Sequence, residues 1–242
     1  MLQALRRPKW MIAAVVVVGL ALLFIRLGIW QLDRLEQRQA QNSVASERLE
    51  GEVVALDDAL ELTAGDLSEL DYRRVALTGE FDPSEEVLIR SQVEMGSAGF
   101  HVITPYILED GSAVLVNRGW VPLEMDTPPV PATPQSGVQQ LEGWVSLTQT
   151  RPPLGAQEPE GELDVLNRVD VERIAEQVPY ELAPVYVVAT GEGSQSLPVR
   201  VDPPDLTDEG PHLAYAIQWF GFAAVGLIGF YFLSRRKGGG RA

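Results

Sequence analysis

The sequence predicts an α+β membrane protein in which two transmembrane helices flank a mainly antiparallel β outer domain, a small barrel or sheet with a few helices. Three observations carry that prediction. Leu213 to Leu233 contains no charged residue, and at 1.5 Å per residue such a run makes a helix of roughly 31 Å, about the thickness of a bilayer's hydrocarbon core. A second apolar run, Trp10 to Ile25, follows Arg6, Arg7 and Lys9. Between the two, β-branched segments alternate with clusters of Gly, Pro, Asp and Ser, the pattern of strands and turns.

Arg235, Arg236 and Lys237 follow the second run at once. By the positive-inside rule that end is cytoplasmic and His212 sits at the opposite, outer mouth. If Arg26 snorkels toward the headgroups, the first run extends to Trp30, an interfacial anchor. The expected organisation is a basic end at 1–9, spans at 10–30 and 212–233, an extracytoplasmic domain at 31–211 and a basic tail at 234–242. A cleaved signal peptide is the rival reading of the first run, because a basic stretch followed by a short apolar one also opens such a peptide. Ser43-Val44-Ala45 resembles a cleavage site, yet the charged stretch Gln31 to Arg38 separates it from the apolar run.

The intervening elements follow in order. Gln31 to Glu50 is polar, free of Gly and Pro, and continues the first span outward as a helix. Asp57 to Thr63 is a short helix with Asp57 or Asp58 as N-cap. Strands are expected at Tyr72 to Phe81, Glu86 to Arg90, Gly99 to Leu108 and Ala113 to Val121, the last two joined as a tight Asp110-Gly111 hairpin. Pro105 calls for a bulge or an edge. Asp126 to Ser136, with four prolines, is expected as a stiff surface excursion of open role. Val138 to Leu147 is a strand and Arg151 to Glu162 a loop. Leu163 to Arg168 is a short strand, Val171 to Val178 a helix capped by Asp170, and Ala183 to Ala189 and Leu197 to Val201 the closing strands.

Charge limits the partners. Between the spans, 11 basic against 34 acidic residues give a net −23, so phosphate backbones are repelled and nucleic acid is excluded. The absence of cysteine removes a lipoprotein anchor, disulfides, thiol nucleophiles and thiolate copper sites. No Arg/Ser-rich transit peptide is evident, which makes a bacterial inner membrane, with both termini cytoplasmic, the simpler location. Signatures of zinc proteases, nucleophile elbows and phosphate-cradling loops are missing, so no catalytic residue is assigned.

Only His101 and His212 could supply imidazole. His101 lies inside an apolar strand and reads as a structural histidine. His212 opens a membrane helix, where the positive end of the helix dipole disfavours a cationic ring and keeps the imidazole available as a ligand. Tyr215, Trp219 and Phe222 continue its stripe. An axial imidazole beside an aromatic wall suits a haem, flat and apolar, with an iron that takes nitrogen. An interfacial histidine and aromatic belt with no ligand is the other reading.

Five motifs occur in one order: Gly28-Ile-Trp-Gln-Leu-x-Arg34; Tyr72-Arg73-x-Val75 with Gly79; Gly99-Phe-His-Val-x-Thr-Pro105; Val116-Asn-Arg-Gly-Trp-Val-Pro122; and His212-Leu-x-Tyr-Ala-x-Gln-Trp-Phe220. Together, and over almost the whole chain, they resemble the Surfeit locus protein 1 family of cytochrome c oxidase assembly factors. The resemblance implies a non-catalytic protein that binds haem a transiently and assists its insertion into the oxidase's large haem-bearing subunit. Haem a synthase and membrane lipid are further implied partners. It places the haem iron on His212, with Tyr215 and Trp219 beside it. Arg118 is implied as either a buried ion-pair partner or a haem propionate partner, while Gly99, Asn117, Gly119 and Trp120 are implied as fold-determining. A membrane scaffold of the same location that stabilises an oxidase intermediate without touching haem is the alternative.

Overall fold

The computed structural model describes residues 8–63, 65–94, 96–150, 158–191 and 197–236. The described chain forms two compact units, one made of residues up to Val44 and from Asp205 onward, the other of Ala45–Pro204. Most of the expected loop Arg151 to Glu162 lies outside the described residues, as do the basic residues Arg6, Arg7 and Lys237.

The first unit is a helix pair. Helix α1, Pro8–Glu50, runs without a break from the apolar stretch into the polar one, because no Gly-Pro signal interrupts it. Helix α4 spans His212–Arg236. Both are long and apolar enough to cross a membrane, and only 11% of either apolar window is buried within the fold. That low burial separates them from core helices of a soluble protein and suggests membrane association. On α1 the contact face steps by three and four, through Ala21, Phe24, Gly28 and Gln31. Ala21, Ala216 and Ala223 are buried, and a Cβ on Gly28 would lie 2.6 Å from the Phe220 ring. Small residues thus let the two backbones approach. Phe24 stacks on Trp219 at 5.6 Å between ring centroids, Phe222 packs against both, and Trp10 meets Phe230 at 6.1 Å.

The polar part of α1 has its own task. Asn42 Nδ2 donates to the carbonyls of Leu206 (2.8 Å) and Asp208 (3.2 Å), and Gln39 Nε2 donates to Glu209 (2.9 Å). The segment leading into α4 is therefore held on the flank of α1.

The second unit is built on a sheet that closes. After β1 (Val54–Ala55) and α2 (Leu56–Leu62) come β2 (Arg74–Phe81), β3 (Val87–Glu94), β4 (Ser97–Leu108), β5 (Ala113–Pro122), β6 (Gln139–Leu147), β7 (Val165–Leu166), α3 (Val171–Ala175) and β8 (Leu182–Ala189). The order β2-β6-β8-β5-β4 returns to β2 through Phe81 opposite Tyr106, which makes a five-stranded barrel, with β3 and β7 extending from β4 and β1 pairing with β2. Five pairings are antiparallel, while β1·β2, β3·β7 and β5·β8 are parallel. Val75, Leu77, Tyr106, Val114, Val116, Val145, Val185 and Val187 form one buried cluster, alternating along their strands with residues of a second cluster that includes Ile103, Leu115, Tyr186 and Val188.

Several expectations need correction. Helix α2 starts one residue early, with Ala55 as an N-cap that supplies no side-chain bond, and Asp57 and Asp58 fall in the first turn. There they face the helix dipole favourably without capping it. Strand β3 runs on to Glu94 through an irregularity between Ile89 and Gln92, where Ser91 has φ 63°. Leu197 to Val201 is reduced to one bridge, Val199 with Trp120. Pro105 lies in neither an edge strand nor the bulge. Its carbonyl accepts from Asp82 N–H, at the step where β4 stops pairing with β3 at Ile103 and begins pairing with β2 at Tyr106. The proline nitrogen on that same side cannot return a bond to Asp82, and the paired stretch with β2 accordingly begins one residue later, at Tyr106.

The bulge is instead in β5. Ile103 pairs with Asn117 and Val102 with Gly119, so Arg118 is the extra residue. Gly119 has φ 129°, and a Cβ there would lie 2.3 Å from the Val199 carbonyl. The inserted Arg118 is buried with Glu86. Its Nη1 donates to Glu86 Oε2 at 2.7 Å, and its Nη2 donates to the Ala132 carbonyl. Glu86 also accepts from Thr104 Oγ1 and from Val130 N–H, both at 2.7 Å. The proline-rich stretch is accordingly more than a surface excursion. Val130 is 1% exposed and packs in a third cluster with Leu88, Phe100, Val102 and Val121.

Candidate functional site

The candidate site is the His212 end of α4. Its approach is set by Gly210, whose φ of 72° suits glycine and whose N–H is taken by Asp208 Oδ1 at 2.8 Å. Tyr215 N–H then bonds to the Pro211 carbonyl at 3.1 Å and closes the first turn. His212 lies half-buried against α1, and its Nδ1 is 2.9 Å from Gln31 Oε1. An amide oxygen only accepts, so in the neutral ring Nδ1 carries the proton and the Nε2 lone pair stays available.

Further down the same stripe, Tyr215 is 47% exposed, whereas Trp219 is half-buried between Phe24 and Phe222. The three residues His212, Tyr215 and Trp219 thus share one side of α4 as the spacing requires, with the aromatic wall contributed by both helices. A free imidazole nitrogen oriented through its second nitrogen, beside an aromatic surface, is a donor set that fits a haem iron. Gly28 and Gln31 stand in the first sequence motif without an assigned role, and Phe24 was not singled out. Their signal was there, since they repeat at the three-and-four spacing that His212, Ala216, Trp219 and Ala223 follow on the facing helix.

Arg118 belongs to the other unit, where it serves as the buried ion-pair partner of Glu86 at 2.7 Å. Burial pulls its pKa below the usual value while Glu86 pushes it back up. His101 lies opposite Trp120 across β4 and β5. Asn117 Oδ1 accepts from Gly119 N–H at 3.0 Å, which turns the Asn117 amide nitrogen toward His101 Nδ1 at 3.2 Å. The His101 proton is consequently on Nε2, 4.0 Å from Glu94. Burial pushes the His101 pKa down to about 4. Trp120 is 6% exposed, as a core residue should be. Gly99 sits beneath it, where a Cβ would lie 2.5 Å from the indole nitrogen. Among the described residues, no group of three His, Cys, Asp or Glu is placed to hold a metal ion.

The sequence profile of the SURF1 family matches residues 18–224, from within α1 to within α4. The chain belongs to the SURF1 family, a family of oxidase assembly factors. Its relatives include an uncharacterised SURF1-like protein of Mycobacterium bovis, 31% identical over 231 residues that cover 93% of this chain and 83% of the relative. A SURF1-like protein of Monosiga brevicollis is 30% identical and covers 89% of this chain and 85% of its own. One of Rickettsia felis is 25% identical, covering 89% and 93%. The SURF1 match takes in the barrel and part of each long helix, so Gln31, Arg118, His212 and Trp219 all lie inside the family's region.

Proposed function

We propose that this SURF1-family protein is a non-enzymatic cytochrome c oxidase biogenesis factor that holds haem a on His212 and passes it to the large haem-bearing subunit. On this reading the helix pair spans a bacterial inner membrane with both ends cytoplasmic and the barrel outside, which follows the flanking basic residues Lys9, Arg235 and Arg236. His212 then lies at the outer interface, and haem a synthase becomes a natural donor.

The observation that carries the proposal is the Nδ1 contact of His212 with Gln31, which leaves Nε2 ready to bind. Tyr215 and Trp219 supply apolar surface for a porphyrin edge. Holding and release need no covalent step. Arg118 is given no role toward haem, because its guanidinium is already spent on Glu86 and Ala132. The test is purification of wild type and His212→Ala from a host making haem a. We expect a histidine-ligated haem spectrum in the wild type and its loss in the variant; an unchanged spectrum in the variant overturns the assignment.

One observation favours the haem-independent scaffold as second reading. Trp219 is already stacked on Phe24, so part of the aromatic surface is spent on holding the helices together. Colourless wild-type protein from the same host, with an oxidase defect when the gene is deleted, would establish that reading instead.

A further inference from the structure

Gln31 lies on the contact stripe of α1, three residues beyond Gly28, at a height where its amide meets the first residue of α4. The close approach at Gly28 and the clamp of Asn42 on Leu206 and Asp208 fix that height from both sides. A polar side chain at a helix–helix seam needs a partner, and Gln31 has one in His212, 2.9 Å away. We infer that Gln31 is the positioning residue of the site. Its carbonyl oxygen takes the Nδ1 proton, fixes the tautomer and ring plane of His212, and so directs the Nε2 lone pair outward.

The residue type carries a second consequence. Imidazoles that hold a metal for good commonly give their other N–H to a carboxylate or a backbone carbonyl, and a carboxylate there raises the ligand's basicity. A carboxamide is a neutral acceptor. It orients the ring without adding the negative charge that would strengthen the bond from imidazole to iron, which suits a protein that must let its cargo go. This inference rests on the haem reading above, but its first half concerns the ligand-free protein and stands or falls separately.

The experiment uses the full chain in detergent micelles, as wild type, Gln31→Leu and Gln31→Glu. The tautomer of His212 is read in the ligand-free protein from its ring ¹⁵N shifts, assigned by their loss in His212→Ala. Binding and dissociation of ferric haem b, used as the probe, are followed by absorbance. The wild type is expected as the Nδ1–H form, with Gln31→Leu losing that preference and binding the probe about 10–100-fold more weakly. Gln31→Glu is expected to keep the Nδ1–H form, release the probe more slowly and lower its reduction potential. A merely structural role would move none of these in Gln31→Glu. An Nε2–H wild type, or a Gln31→Leu tautomer like the wild type's, overturns the inference. The expected tautomers in a wild type that binds no haem would overturn the haem reading and confine Gln31 to helix pairing.

Discussion

Arg118 and Glu86 lie 2.7 Å apart in the interior of the barrel unit, and each also holds the backbone of the same proline-rich segment, through Ala132 and Val130. The pair owes its existence to the bulge that inserts Arg118 between Asn117 and Gly119. Its energetic value lies in completeness. Both carboxylate oxygens and two guanidinium nitrogens are engaged, which offsets the large cost of taking two charges out of water.

Removing one partner should therefore cost more than removing both. Arg118→Leu or Glu86→Leu is expected to destabilise the chain by about 3–5 kcal/mol, because an uncompensated charge stays buried. The double variant is expected to recover much of that loss. Urea unfolding in detergent, followed by tryptophan fluorescence, measures all three; additive losses would mean the two charges do not act as a pair. Proteolysis should nick 126–136 first in the single variants.

A second prediction concerns helix spacing. At Gly28 a Cβ would lie 2.6 Å from the Phe220 ring, so Gly28→Leu should push the helices apart and separate Gln31 from His212. The expected cost is about 1–3 kcal/mol, as for overpacking elsewhere, together with loss of the His212 tautomer preference. Gly28→Leu with Phe220→Ala should restore it. The ring ¹⁵N shifts again provide the measurement.

His101 sets a pH dependence. Its folded pKa is depressed to about 4 by burial, against 6.5 for the free side chain. The unfolded chain thus binds the proton more readily than the folded one, and stability is full above about pH 6.5 and falls as pH drops toward 4. The loss is on the order of 3 kcal/mol at most. His101→Gln should flatten the urea midpoint between pH 6.5 and 4 relative to wild type; an equal slope in both would assign the dependence to carboxylates.

The sequence made the regular elements legible because their signals are local. The charge-free run of α4, the Asp110-Gly111 turn between β4 and β5 and the Asp170 cap of α3, which accepts from Arg173 N–H at 3.3 Å, can each be read within a dozen residues. Barrel closure was not legible, since Phe81 meets Tyr106 only once three other strands have set the curvature. The same holds for the ion pair of Arg118, whose partner Glu86 lies 32 residues earlier. At the candidate site, His212 stood out by its type and place. Gln31 appeared in a motif but its role was not legible, because a glutamine just past an apolar run looks like ordinary interfacial polarity until the partner 181 residues away is seen.

The bonds from Asn42 to the Leu206 and Asp208 carbonyls, with Gln39 on Glu209, act on α4 before the helix has begun. They tie the segment that leads into α4 to the polar half of α1. Sliding α4 by a single turn, about 5.4 Å, would break all three and carry His212 off Gln31.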